Sequence, residues 1–357
     1  MAWKGQKLRT LVEEKEINVA TLARDLNVSR ASIYDWFDGQ VPKGQHLVHL
    51  SSLLGVNPTH FFSDDTQKNI TLPLHRTRGV AKVTENVREE ALQLANRYEK
   101  LFKMSEAGLI QVLRIENIKS EQNARNLAQE LRKISQIENG KPIDYEDVFQ
   151  LQDKLGVIII FRDFPTNIKS YAYYCKIHNH RVVFVDNKTN VIDLIFPLLH
   201  ETVHALLDEK TPEIFQDQEE QFCDLVASYT QFPEEYIKTI AETIKGNRKD
   251  IMINKIKQFA ADKHHAIFGL TKRLPNLDYR DFAGADGNLK KSFPNIGEIL
   301  FQEKEPRDYV ETLRMLTPRF VQMVTNQIEN VSNRTIGEWL GLDNKIDAEV
   351  IIKELKR

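Results

Sequence analysis

The residues with the most chemical content in this chain are His200-Glu201-Thr202-Val203-His204. In a helix, imidazoles at i and i+4 leave the same face about one turn apart, a spacing that suits two corners of a tetrahedral zinc site. Glu201 falls beside them, where a carboxylate can face a water held by the metal. That chemistry is hydrolysis. Zinc lowers the pKa of its water towards neutrality and polarises a carbonyl, while the carboxylate accepts the proton and passes it to the leaving amine. By independent residue frequencies the pattern arises by chance in roughly 2% of comparable chains, so its surroundings must carry part of the argument. The flanks Leu198-Leu199 and Ala205-Leu206-Leu207 have the apolar periodicity of a packed helix.

A catalytic zinc takes three protein ligands and keeps one position open. Downstream, the segment from Glu219 to Tyr229 puts Phe222, Cys223, Val226 and Tyr229 on a buried face beside an acidic one. Glu220 and Asp224 are i and i+4, so both can point at one site. Glu220 is assigned as the third ligand, and Asp224 as the group that orients a ligand histidine through its other ring nitrogen. Glu219 is the fallback ligand. Tyr171, Tyr173, Tyr174, His178 and His180 are candidates for stabilising a developing oxyanion, and spacing singles out none of them. His178-Asn179-His180 reads as exposed turn histidines rather than a metal pair, and His264-His265 carries still less metal character.

These residues need elements to hold them. Val157 to Phe161 and Arg181 to Val185 are β-rich runs bounded by polar turns, and Ser170 to Ile177 adds a third strand candidate. The helix bearing the histidines spans about Asn190 to Asp208. Upstream, Thr84 to Lys103 and Asn123 to Ile134 read as longer amphipathic helices, and Asp144 to Leu155 as another helix. Beyond Pro233 the chain is again helical, broken by Gly246, Pro275, the Gly284 to Gly287 segment, Pro294, Pro306 and Pro318. Leu313, Leu316, Phe320, Val324 and Ile328 there form one apolar face. At the N-terminus, Leu8, Leu11 and Val12 mark one helix face, and Val19, Leu22, Ala23 and Leu26 a second. After a turn at Asn27-Val28, Ser29 caps a third helix with Ile33 and Trp36 facing inward.

With 357 residues, 41% hydrophobic and 28% charged, the chain is expected to form more than one globular unit. The organisation read from it is 1–64, a helix-turn-helix; 65–140, a helical connector; 141–235, the metal-bearing core; and 236–357, a helical C-terminal region. The fold class is mainly α with a small β-sheet, α+β overall. A net charge of −2 gives no global field for nucleic acid or an anionic membrane. Met1 to Gly5 leads straight into polar residues and no apolar run is long enough to span a bilayer, so the expectation is a cytoplasmic chain without membrane partners. Cys175 and Cys223 are too few for a disulfide framework and read as free, packed thiols.

The chain resembles the ImmA/IrrE family of zinc metallopeptidases, especially members fused to an N-terminal XRE-type helix-turn-helix. The matching residues are Asn179 to Asp186, the His200 to His204 helix, and Glu220-Gln221-Phe222-Cys223-Asp224 leading to Phe232-Pro233, with Phe268 to Leu274 similar to a later helical element. The resemblance implies a compact zincin-like core and, in some members, cleavage of a transcriptional repressor. The chain departs from the family at Thr202-Val203, where Leu-Gly is frequent, and at Asp224, where Asn is frequent. Val203 is expected to narrow the cleft.

In the N-terminal module, Ser29 to Trp36 is similar to an XRE recognition helix, whose early exposed residues meet base edges in the major groove. Ser29, Arg30, Ala31, Ser32 and Tyr34 are the DNA-facing candidates, Arg30 being the best guanine reader. Residues 1–65 hold seven basic side chains against eight acidic ones. Phosphate contacts supply much of DNA affinity, so such a domain is expected to bind weakly alone and to favour a homodimer. Arg76, Arg78 and Lys82 are further phosphate candidates. The whole reads as a regulatory zinc peptidase that cleaves a protein partner, such as a repressor, and is localised by DNA. The alternative is a non-proteolytic regulator whose zinc pocket senses or stabilises.

Overall fold

The computed structural model describes residues 3–15, 17–54, 56, 58–62, 70–71, 84–106, 120–207, 216–302, 304–342 and 348–357. Arg76, Arg78 and Lys82 lie outside the described residues, with most of the connector. The chain divides into two compact units, Met1–Lys68 and Asn69–Arg357.

The first unit is built from α1 (Gly5–Glu14), α2 (Val19–Asp25), α3 (Arg30–Phe37) and α4 (Gly44–Leu54), closed by a 3-10 turn at Pro58–Phe61. Its short helices start at side-chain caps: Asn18 accepts from the Ala20 N–H at 2.8 Å, and Ser29 Oγ from the Ser32 N–H at 3.0 Å. Between α2 and α3 the chain passes through Asn27 at φ 53°, a left-handed position that asparagine tolerates. Leu8, Leu22, Leu26, Ile33, Trp36 and Phe61 form the core.

The second unit contains a four-stranded mixed sheet of β1 (Ile70–Thr71), β2 (Ile158–Arg162), β3 (Ala172–Ile177) and β4 (His180–Asp186), ordered β1-β3-β4-β2. β3 is antiparallel to β1 and β4, whereas β2 runs parallel to β4. β4 is buried along its whole length, as its apolar run requires of a central strand. Helices α5 (Glu85–Asn96), α6 (Glu99–Lys103), α7 (Glu121–Ser135), α8 (Tyr145–Lys154), α9 (Val191–Leu207) and α10 (Gln216–Gln231) surround it. The single helix expected over 84–103 is thus two, parted at Arg97-Tyr98. Among the described residues nine more follow: α11 (Glu234–Ile244), α12 (Lys249–Asp262), α13 (Ile267–Arg273), α14 (Ala283–Lys290), α15 (Ile296–Phe301), α16 (Pro306–Leu316), α17 (Pro318–Asn326), α18 (Asn333–Leu340) and α19 (Ala348–Leu355). The protein is therefore mainly α with a small sheet. No helix among the described residues is long and apolar enough to cross a membrane.

Two expectations for the C-terminal helices are corrected. The Gly284 to Gly287 segment does not break the chain, because α14 runs through it. Its buried Asp286 accepts from the Ile267 N–H at 2.7 Å and from the Tyr279 hydroxyl at 2.9 Å, and this tertiary anchoring overrides the low helix propensity of glycine. Leu313 to Ile328 is not one helical face either: α16 ends at Leu316 and Pro318 opens α17, although all five apolar residues are buried.

These helices share the core of the sheet, for one apolar cluster runs from Ile70 to Leu355. At the β2 edge, the Thr317 hydroxyl donates to the Ile159 carbonyl at 2.6 Å. Arg162, at the end of β2, donates to the Glu338 carbonyl and to the Trp339 carbonyl at 2.6 Å, satisfying the last turn of α18. Gly341 ends that helix at φ 74°, and a Cβ there would lie 1.6 Å from an Arg162 nitrogen. Gly341→Ala is therefore expected to destabilise the chain by about 2–4 kcal/mol, from backbone strain and overpacking together. A urea midpoint equal to that of the wild type would contradict this packing.

Candidate metal centre

α9 packs against β3, β4, α8 and α10. Leu194, Ile195, Leu198, Leu199, Ala205 and Leu206 bury its apolar face, which fixes where the polar residues between them point. Thr202 is fully buried; its hydroxyl donates to the Leu198 carbonyl at 2.6 Å and accepts from Gln152 Nε2 at 2.9 Å, tying α9 to α8. Val203 is also fully buried and belongs to the core, not to the cleft lining, so it does not narrow the cleft. Pro197, inside α9, has no N–H for the preceding turn and lines the cleft instead.

His200 Nε2 and His204 Nε2 are 3.1 Å apart. One oxygen of Glu220 lies 3.5 Å from the first and the other 3.3 Å from the second. A tetrahedral ion such as zinc, with bonds of about 2.0–2.1 Å, spaces two nitrogen ligands about 3.3 Å apart. These three edges fit such an ion, and among the described residues His200, His204 and Glu220 are the one His/Cys/Asp/Glu group able to hold a metal. The far ring nitrogens are held as well. His200 Nδ1 is 2.9 Å from Asp224, and His204 Nδ1 is 2.9 Å from Glu219. Both imidazoles thus present Nε2 to the same point. The Glu219 contact escapes sequence reasoning, which treats that residue only as a substitute ligand.

Electrostatics follow from this crowding. Burial opposes charge on His200, but hydrogen bonds to Asp224 and Glu220 outweigh it and raise its pKa to about 10. His204 moves the same way against burial, drawn up by Cys223, Glu219 and Glu220. Burial pushes Glu220 up, yet the two imidazoles hold it well below the usual carboxylate range. Burial raises Glu201, with His204, His200 and the Tyr174 N–H working against it.

The site opens into a cleft of about 1150 Å³. Of the oxyanion candidates, Tyr171 and Tyr174 line it. The Tyr174 backbone N–H donates to Glu201 Oε2 at 2.7 Å, a contact invisible to side-chain spacing. Tyr173 is buried elsewhere, its hydroxyl donating to the Ala91 carbonyl. His180 meets the Ser105 carbonyl, and His178 lies at the β3–β4 turn beside Glu99. His265 is buried against the Tyr236 hydroxyl at 2.8 Å. Cys175 and Cys223 are free and buried, and Cys223 Sγ lies 3.7 Å from His204 Nδ1.

In the N-terminal unit, Arg30, Ala31 and Tyr34 are exposed along α3, while Ile33 and Trp36 are buried. The hydroxyls of Ser29 and Ser32 are 2.9 Å apart and engaged at the start of the helix. Val19 opens α2 and packs against the core.

Because the metal-free pair holds protons above the ordinary imidazole value, a metal must displace them. Uptake is expected to release roughly one or more protons per ion at pH 7 and to strengthen as pH rises from 6 to 8. Calorimetry in buffers of differing ionisation enthalpy measures the release directly. Binding enthalpies that do not vary with the buffer would contradict it.

Comparison with known families agrees with this geometry. Residues 152–262 match a peptidase family model described as the IrrE N-terminal-like domain, and residues 7–67 match the Cro/C1-type helix-turn-helix DNA-binding domain. No curated protein matches the chain. Two segments of the chain are therefore similar to a Cro/C1-type helix-turn-helix domain and to an IrrE N-terminal-like domain of a peptidase family, the fusion that its sequence resembles.

Proposed function

We infer that the chain is a regulatory zinc endopeptidase that cuts a protein partner, such as a transcriptional repressor, in the cytoplasm. The observation that carries this reading is the convergence of His200 Nε2, His204 Nε2 and Glu220 on one point, with Glu201 beside it, on the wall of a cleft that admits a peptide. These three residues would hold zinc, which when bound supplies a Lewis acid for a carbonyl and a lower pKa for water. Glu201 is the general base. Its raised pKa suits a carboxylate that must take a proton from water and return it to the leaving amide nitrogen. The Tyr174 N–H fixes Oε2, which leaves Oε1 for the proton. Asp224 and Glu219 keep both rings in the orientation that binding needs.

The N-terminal unit supplies localisation. Arg30, Ala31 and Tyr34 are the side chains that would reach base edges, and Ser29 and Ser32 would set the start of the recognition helix against the DNA backbone. The near balance of seven basic and eight acidic residues in 1–65 favours a dimer as the DNA-binding form.

The test uses the full zinc-loaded chain and a pool of unfolded protein fragments, with new termini read by mass spectrometry. Wild type should generate them, and Glu201→Gln should keep its zinc while losing about 10²–10⁴-fold in rate. Full zinc occupancy without cleavage, or equal cleavage by Glu201→Gln, would return the chain to the non-proteolytic alternative.

A further inference from the structure

The wall of the cleft away from the metal residues is made by α13, α14 and the segment between them, all beyond residue 262, where the matched domain ends. Phe268 is 46% exposed there. Tyr279 packs edge-on against it at 4.9 Å, and Lys272 Nζ sits 5.4 Å from its ring centre. Phe196, whose ring is 6.4 Å from that of His200, continues the aromatic lining towards the metal residues. The wall is held in place. Buried Asp286 accepts from the Ile267 N–H and the Tyr279 hydroxyl, and Lys290 bridges Asp286 and Asp193 at 2.9 Å each, linking α14 to α9.

One cation of this wall has no carboxylate partner among the described residues. The other cations of the cleft are neutralised: Arg125 and Arg273 share Glu234 at 2.6 and 2.7 Å, and Lys290 has its two aspartates. Lys272 meets no carboxylate among the described residues. An exposed aromatic ring beside a cation on a cleft wall is suited to contact a bound segment.

We propose that this wall is a specificity subsite for a peptide segment in which a bulky apolar side chain adjoins an acidic one. The apolar side chain lies against Phe268 and Tyr279, and the carboxylate pairs with Lys272. The proposal deepens the peptidase reading and rests on it for the nature of the ligand. Both aromatic contact and charge complementarity are needed, because a single exposed ion pair contributes little.

The experiment separates binding from cleavage. Fluorescein-labelled hexapeptides with central Phe-Glu, Phe-Lys or Ala-Glu, each also in reversed order, are titrated by anisotropy against the full zinc-loaded Glu201→Gln chain. A Phe-Glu or Glu-Phe peptide is expected to bind about ten-fold more tightly than the other two compositions. Lys272→Glu, an exposed change, should shift the preference to Phe-Lys, and Phe268→Ala should abolish the advantage of Phe over Ala, both at unchanged zinc content. Equal binding of all peptides, no binding, or a charge preference that survives Lys272→Glu overturns the subsite. A tightly bound peptide that wild type leaves uncut would overturn the peptidase reading while the subsite stands.

Discussion

Two buried imidazoles facing each other at 3.1 Å repel once charged, and carboxylates around them are what make the arrangement tenable. Glu219, Glu220 and Asp224 all come from α10. Each takes a different part: Asp224 and Glu219 hold the outer nitrogens, and Glu220 faces the inner pair. Neighbouring elements of the second unit keep α10 beside α9. The sheet supports α9 from below through β3 and β4, α8 holds it through Gln152 and Thr202, and α7 packs along α10. A metal entering this group replaces protons as the charge that balances three carboxylates, which couples metal binding to pH and to the order of both helices.

The C-terminal helices take part in the same construction. They bury their apolar faces in the one continuous core that also holds the sheet, and α13 and α14 form a wall of the cleft. The site therefore depends on residues far from the histidines in sequence. Arg162 and Gly341 illustrate the coupling, since an arginine on the strand next to β4 satisfies carbonyls of α18 only because no side chain stands at Gly341.

Much of the site was legible in the sequence because its information is local. The i, i+4 histidines, the apolar flanks of α9 and the i, i+4 pair Glu220 and Asp224 are properties of one helix turn. The cap at Ser29 is likewise local, being a side chain that meets an N–H group three residues on. What sequence left unread depends on tertiary approach. Adjacent Glu219 and Glu220 differ in role only through the placing of α10 against α9. Val203 enters the core rather than the cleft for the same reason, and α14 persists through two glycines because Asp286 is anchored from α13 and Tyr279. β1 is two residues long, too short to leave a period-two pattern.

The central claim is that His200, His204 and Glu220 form one zinc site. Native mass spectrometry of the purified full chain, before and after addition of zinc, tests it most directly, with His200→Ala and Glu220→Ala alongside. The account predicts a single zinc per wild-type chain and its loss in both variants. A wild-type chain that carries no metal and takes up none, or variants that keep it, would contradict the account.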